Sequence, residues 1–391
     1  MGSLSHIRVL DLSRVLAGPW ASQIFADLGA EVIKIERPGR GDDTRFWGPP
    51  WMPDDQGRPT ENSAYFLCTN RGKHSLQIDL KDPEGVAQVR EIARHVDVVI
   101  ENFKVGDLES LGLDYASLSR DNPGLVYCSI TGFGQTGPLA QRPGYDLLVQ
   151  AMGGLMSITG EPDGEPMKVG VALSDIMTGL YGVIGTLAAL AERDRSGQGQ
   201  HVDVALMDVT MATLANQAAN WVVGGVDPAR VGNAHLSIVP YQSFETADGH
   251  IVVAVGNDSQ FVQFCEVLGL NELPVDPRFA RNEARVVNRE VLIPLLAERM
   301  KASPSQHWID GLTARNVPCG PINSVAEAFA QPQVAAREMV VDVPHPDNPD
   351  LKLVGSPIKL SRTPVTYDRP PPRLGEHDSL LGYFTTPRQV D

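Results

Sequence analysis

The sequence predicts an α/β chain: an open, mostly parallel sheet with helices on both faces, then a smaller α+β region. Two observations predict this. Strand-like and helix-like runs alternate through the first third of the chain, and parallel neighbours need such crossovers. Beyond Gly224 the texture changes to a hairpin followed by short helical runs. The 391 residues, 42% of them hydrophobic, are enough for two cores.

In chain order, IRVLDLS (7–13) is a strand, and Pro19 to Leu28 is a helix with proline in its first turn. AEVIKIE (30–36) completes a βαβ unit, whose crossover is right-handed. HSLQIDL is the next strand. Asp82 and Pro83 then open a helix over DPEGVAQVREIARHV as N-cap and first-turn residue. DVVIENF and LVYCSITGF are two more strands. The segment Arg40 to Asn62 interrupts the alternation. It is rich in Gly, Pro and Asp and holds Trp47 and Trp51, and so long a loop inside a compact domain is usually functional or a flap. Ser174 to Leu190 is a strongly apolar helix, followed by a polar turn, a strand in QHVDVAL and a second helical stretch to about Val223. Gly224 to Asn233 is a Gly/Pro break suited to a domain boundary. Past it, SIVPYQSFETADGHIVVAVG reads as a hairpin turning at Asp248 and Gly249. Helical runs lie in DSQFVQFCEVLG, NREVLIPLLAERM and SQHWIDGLTARN, and a Pro-rich tail, DRPPPRLGEH, comes near the end.

Composition excludes several classes. Lys plus Arg is 33 against 48 for Asp plus Glu, a formal net charge of −15. That balance repels nucleic acid at long range, though a local basic pocket can still hold one phosphorylated ligand. The opening MGSLSHIRVLDLS enters a strand without a charged-then-apolar leader. The longest uncharged stretch, Ile176 to Ala191, is shorter than the ~20 residues of a membrane span, so no membrane partner is expected. Cys68, Cys128, Cys265 and Cys319 form no CxxC pair, and the 9 histidines no HExxH. A reduced, cytoplasmic setting without a metal or a disulfide framework is the expectation.

Four places carry candidate chemistry. The first βα loop, SRVLAGPW, has only Gly18 where a dinucleotide site needs GxGxxG, so a standard NAD or FAD site is excluded. Glu36 and Arg37 end the second strand. They suit either a ribose with its phosphate or a surface Glu–Arg pair. Asn102 and Lys104 follow the strand DVVIENF, where open sheets place ligands. With Lys34, Lys73 and Lys81 they form either a cationic cluster for a polyphosphate or scattered solvated lysines. Ser174 and Asp175 begin the apolar helix, in which Gly179, Gly182 and Gly185 permit close packing. There Asp175 is either an N-cap or a nucleophile whose anion the helix start stabilises. His235, beside Gly232 and Asn233, is either a structural histidine or a substrate contact.

Taken together these segments resemble the family III CoA-transferases (the CaiB/BaiF, formyl-CoA transferase-like family). The likeness runs from VLDLSRVLAGPWASQIFADLGAEVIKIERPGRGDDTR through NRGKHSLQIDLK, DVVIENF, SITGFGQTGP, GYDLLVQAMGG, VALSDIMTGLYG, RSGQGQHVDVAL, VPCGPI and GSPIKL to the terminal LGEH. It implies a Rossmann-like large domain over 1–200, a linker helix over 201–224, a small domain over 225–325 and a return to the large domain over 326–391. It also implies two chains threaded as interlocked rings. The family's nucleophilic aspartate falls on Asp175, and CoA contacts fall on Leu16, Ala17, Arg37, Ile78, Lys81, Asn102, Phe103, Lys104 and Gly132. CoA and its thioesters are then substrates, with no tightly bound cofactor.

Departures narrow the reading. The formyl-CoA branch has Gln where Leu16 stands and a glycine run where this chain has NAHLSIVPY, which argues against an oxalate/formyl pair. Ser110 replaces an arginine that family members place after the ENF motif. The racemase branch needs a histidine where Tyr145 stands, and tyrosine is a poor second base. The HxxxVPY-type loop looks like the succinyl-CoA:dicarboxylate branch, with acceptors such as glutarate. Arg45, Asn233 and His235 are candidates for the second carboxylate, and Tyr145 stands at the reacting end. A carnitine-type acceptor, caged by Trp47 or Trp51, and a non-catalytic CoA-binding protein are the alternatives.

Overall fold

The computed structural model describes residues 2–387; the last four residues of the expected C-terminal return lie outside them. The chain divides into two compact units. The first comprises residues up to Leu155, Lys168–Gly225 and the chain from Gln333 onward; the second comprises Met156–Met167 and Val226–Pro332.

The first unit is built on six parallel strands, β1 (Arg8–Asp11), β2 (Glu31–Glu36), β3 (Lys73–Gln77), β4 (Val98–Glu101), β5 (Val126–Thr131) and β6 (His201–Ala205). Their order across the sheet is β3-β2-β1-β4-β5-β6, every pairing parallel. This is the doubly wound Rossmann arrangement. Both faces are covered, so β1, β4 and β5 are buried at every position and read as near-continuous apolar runs. Alternate residues feed two cores. Val9, Val98 and Ile100 point to one face, against Phe25, Val183 and Leu190. Leu10, Ile33 and Val99 point to the other, against Val89, Ile92 and Leu118.

The helices are α1 (Ala17–Asp27), α2 (Pro83–Ala93), α3 (Tyr115–Asp121), α4 (Asp146–Met152), α5 (Leu173–Ser196), α6 (Leu206–Thr213) and α7 (Asn216–Gly224). Asp82 caps α2 as expected, its side chain accepting from Glu84 N. At 24 residues α5 is long and apolar enough to cross a membrane, yet Ser174, Thr178, Gly179, Gly182 and Val183 are buried. Gly179 is where α5 meets α1: a Cβ there would lie 2.7 Å from Ala17 O.

Two expectations change. The helical stretch to Val223 is broken, because Ala215 adopts φ 50° and separates α6 from α7. The segment 201–224 is also no linker helix, since β6 is the sheet's sixth strand. The segment Arg40 to Asn62 holds a one-turn helix, Asp43–Phe46, and most of a hairpin of Trp51–Pro53 with Pro59–Ser63. The C-terminal LGEH covers the edge of β3: His377 N donates to Ser75 O (3.0 Å) and Gly375 N to Ser75 Oγ (3.0 Å).

The second unit is α+β. Strands β7 (Tyr241–Glu245) and β8 (His250–Ala254) form the hairpin, and β9 (Cys319–Pro321) joins β8 antiparallel. Helices α8 (Asp258–Leu268), α9 (Arg289–Met300) and α10 (Ser305–Ala314) pack Phe261, Phe264, Leu292, Leu296 and Trp308 onto it. The excursion Met156–Met167 is fastened here by Arg230, whose Nη2 donates to Gly164 O at 2.9 Å.

Candidate active site

Strand order reverses between β1 and β4, and in such sheets ligands bind in the crevice outside the carboxyl ends at that switch point. The two loops that leave these strands are locked together. Asn102 Oδ1 accepts from Arg14 N (2.9 Å), and Asn102 Nδ2 donates to Arg14 O (2.7 Å). Asn102 therefore shapes the crevice rather than offering a free amide. The next residue, Val15, has φ 72°, a rare conformation for a β-branched side chain. Its N–H meets both oxygens of Asp42 at 3.3 Å. Asp42 takes Lys34 Nζ at 3.0 Å, and Lys34 donates to Ser13 O at 2.8 Å. Asp11 accepts from Ser22 Oγ and from Lys73 Nζ. This buried lattice holds the strained turn in place.

Lys34 and Lys73, expected either as solvated lysines or as part of a polyphosphate cluster, are thus fully buried lattice members. Glu36 and Arg45 follow the same rule. Arg45 donates to both Glu36 oxygens (2.9 and 2.7 Å) and to Pro372 O (3.1 Å), and stacks over Phe66. It is 4% exposed. Freeing it for a substrate carboxylate would leave Glu36 charged and buried without its partner, so Arg45 is a structural residue. Glu36 likewise is committed and offers no oxygen to a ribose.

The crevice holds two adjoining cavities that share Arg14 and Phe103. One, of about 270 Å³, is walled by Leu16, Ala17, Asn102, Lys104, Gly132, Tyr145 and Asp175. The other, of about 460 Å³, is walled by Arg37, Ile78, Leu80, Lys81, Ser110 and Leu111. Every one of the nine expected CoA contacts therefore lines one of the two cavities or, for Phe103, both. Arg37 is half-exposed and pairs with Asp43 at 2.5 Å. Asn233 and His235 belong to the second unit. There Asn233 Nδ2 donates to Ser243 Oγ (3.2 Å) and His235 Nδ1 accepts from Ser237 N (3.0 Å).

Asp175 stands in the first turn of α5. That helix has no side-chain cap from its own N-cap residue, Ala172. The cap comes from α4 instead: Asp146 Oδ1 accepts from Ser174 N (2.9 Å) and from Asp175 N (3.4 Å). Asp146 reaches that position because Gly132 and Gly144 touch, a Cβ on either lying 2.5 Å from the other's Cα. So Asp175 is not the cap; it is left with its carboxylate facing the cavity. No ion pair to it is formed among the described residues. Burial, and then the charge of Asp146, push its carboxyl up to about 7. Tyr65 is pushed to about 12, by burial first and then by the charge of Asp175, so the phenol keeps its proton. Trp47 stands edge-on to Tyr65 with ring centroids 5.2 Å apart. Trp51 instead lies against Gly48, 2.6 Å from where a Cβ would stand.

A carboxyl with a raised pKa, uncompensated by a cation and lining a cavity, is the environment of a functional group. The family model for CoA-transferase family III matches residues 4–378. The chain belongs to CoA-transferase family III. Among its relatives is the succinate–glutarate CoA-transferase of Agrobacterium fabrum, 52% identical over 97% of this chain and 94% of that protein. The human succinyl-CoA:glutarate CoA-transferase is 43% identical over 97% of this chain and 85% of its own length. A solved CaiB/BaiF family protein from Brucella suis superposes with a TM-score of 0.86 at 48% identity, covering 98% of this chain and 100% of that one.

Sequence reasoning missed three residues of this CoA-transferase. Asp146 lies in GYDLLVQAMGG beside Tyr145, and its sequence neighbours give no sign that it caps a helix starting 27 residues later. Arg14 stands in the first βα loop, whose Gly18, Leu16 and Ala17 carry the local signal while Arg14 carries none. Tyr65, in the short helix Ala64–Leu67, carries no local signal, and the charge of Asp175 acts on it across 110 residues of sequence.

Proposed function

We propose that the chain moves CoA from succinyl-CoA to glutarate, with Asp175 as the acyl and CoA carrier. The observation that carries this is Asp175 itself, an unpaired carboxylate on the wall of the switch-point cavity. Its raised pKa makes the ionised form the more basic, and so the more nucleophilic, carboxylate.

The steps balance. Asp175 attacks the thioester carbonyl, giving a succinyl–aspartyl anhydride and CoA thiolate. The thiolate attacks the aspartyl carbonyl, releasing succinate and leaving an aspartyl-CoA thioester. Glutarate attacks that carbonyl, expelling thiolate and forming a glutaryl–aspartyl anhydride. The thiolate then takes the glutaryl group, and the Asp175 carboxylate is regenerated. Tetrahedral oxyanions form in each step, and the amides of Leu16 and Ala17, at the start of α1 on the wall of the same cavity, can stabilise them. The adenosine end suits the larger cavity, where Ile78, Leu80 and Leu111 give an apolar wall and Arg37 and Lys81 carry charge for the ribose phosphate. The dicarboxylate relatives support glutarate as acceptor.

The reading includes a homodimer. Helix α7 has no buried residue, and Trp221, Val222 and Val223 are 59%, 79% and 87% exposed. Exposed apolar side chains of this size mark an interaction surface, and a second copy of this chain is the proposed cover.

The test is covalent trapping. Wild-type protein incubated with succinyl-CoA and hydroxylamine is expected to yield an Asp175 hydroxamate by peptide mass spectrometry. Asp175→Asn is expected to yield none and to lose turnover by on the order of 10⁴-fold or more. A variant that keeps most of its turnover removes the nucleophile from the scheme.

A further inference from the structure

Asp43 opens the one-turn helix Asp43–Phe46 on the rim of the catalytic cavity. Three guanidiniums converge on its carboxylate. Oδ1 lies 2.5 Å from Arg37 Nη2 and 3.5 Å from Arg40 Nη2; Oδ2 lies 3.5 Å from Arg14 Nη1. One negative charge thus faces three positive ones, in a protein whose formal net charge is −15. All four side chains are open to solvent, from 26% for Asp43 to 66% for Arg40. Exposed pairs of this kind contribute little to stability, so stability does not explain the convergence.

Placement does. Arg14 lines both cavities, and its guanidinium lies 5.5 Å from the centre of the Phe103 ring, the other side chain common to both. Its backbone is fixed by the two Asn102 hydrogen bonds. A CoA thioester with its acyl carbon at Asp175 and its adenosine among Ile78, Leu80 and Leu111 must pass its diphosphate by Arg14. Ser110, on the wall of the larger cavity, donates its hydroxyl to Asp107 O and supplies no charge there.

We propose that Arg14 is the diphosphate ligand of the CoA thioester and that Asp43 is its internal competitor, a carboxylate that gathers Arg14, Arg37 and Arg40 and yields part of their charge to the incoming phosphates. The proposal rests on the CoA-transfer reading above. Phosphate oxygens offer guanidiniums the same charge-assisted hydrogen bonds as a carboxylate, with more charge. Removing the competing charge at Asp43 should therefore tighten nucleotide binding, the reverse of what loss of an ordinary structural ion pair does.

The test compares KM for succinyl-CoA with KM for succinyl-pantetheine, which lacks the nucleotide, in wild type, Arg14→Ala and Asp43→Asn. In Arg14→Ala the ratio of the two KM values is expected to rise about tenfold or more, alike for succinyl-CoA and its dephospho form. In Asp43→Asn the ratio is expected to fall about three- to tenfold at roughly 20 mM salt, and the gain to vanish at roughly 0.5 M, where charges are screened within a few ångström. A ratio that stays constant or rises in Asp43→Asn, or one unmoved in Arg14→Ala, overturns the proposal. Because each ratio is taken within one variant, partial misfolding cancels. Should Arg14→Ala fail to fold, the salt-dependent response of Asp43→Asn decides alone. A wild type that transfers no CoA brings down the functional reading itself; a wild type that transfers normally beside unresponsive variants brings down only this inference.

Discussion

Two sets of carboxylates lie in the first unit, and their pKa values move in opposite directions. Beneath the switch-point loop, Asp11, Glu36 and Asp42 are almost inaccessible. Burial works to raise their pKa values. At Asp11 the charges of Lys73 and Lys34 outweigh it, and at Glu36 the guanidinium of Arg45 does so. At Asp42, Lys34 leads, and the carboxyl is held down at about 2. At the cavity, Asp175 is less buried by surface area, yet its pKa goes up to about 7, because no cation answers it and Asp146 adds a like charge. Burial sets the size of the penalty and the partner sets the sign. The paired set shapes the loop; the unpaired carboxylate is free to react.

The largest expected effect comes from breaking the paired set. Lys34→Met leaves Asp42 charged and buried without its cation, and should cost about 3–5 kcal/mol in chemical denaturation. The strained turn at Val15 would loosen with it, since Asp42 anchors both. The pH dependence has a definite sign. These carboxyls have folded pKa values below their unfolded ones, so the stability they contribute is complete above pH ~4 and drains away as pH falls toward about 2. A Lys34→Met protein as stable as wild type would show that the lattice is not what holds the loop.

Removing the unpaired carboxylate should do the reverse. Asp175 binds its proton more tightly folded than unfolded, so wild-type stability falls as pH rises from about 4 to about 7. Asp175→Asn escapes that loss. It is expected to melt roughly 2–4 °C above wild type at pH 8, with the gap closing below pH ~4. The same ionisation governs rate: kcat/KM of the wild type should climb through a midpoint near 7, because only the ionised carboxyl attacks.

The sheet was legible because parallel strands covered on both faces are mostly apolar, as IRVLDLS, DVVIENF and LVYCSITGF are despite the charged Arg8, Asp11 and Glu101. The glycines of α5 and the break after Gly224 were legible for similar local reasons. Asp175 was legible as a helix-start residue, but its freedom from capping was not, because the cap arrives from Asp146, 29 residues earlier. Arg45 misled for the same kind of reason: its partners, Glu36 and Pro372, are brought together by the fold and not by the sequence. The excursion Met156–Met167 into the second unit gives no periodic signal, and Arg230 reaches it through backbone carbonyls, which leave no mark on the side-chain pattern.

The smallest effect is the sharpest test of the comparison, because it separates charge from capping at one residue. Asp146→Asn keeps an Oδ1 that can still accept from Ser174 N and Asp175 N, so α5 stays capped, whereas Asp146→Ala loses the acceptor and should cost about 1 kcal/mol. What Asn removes is the like charge beside Asp175. That charge is the second cause of the raised pKa, after burial, so the midpoint of the kcat/KM profile should move to lower pH by less than about one unit. A profile unmoved by Asp146→Asn would assign the whole shift to burial and reduce Asp146 to a cap. An alkaline movement would mean that Asp146 stabilises the Asp175 anion through the helix start more than its charge opposes it, and the distinction between the two sets of carboxylates would then rest on exposure rather than on partners.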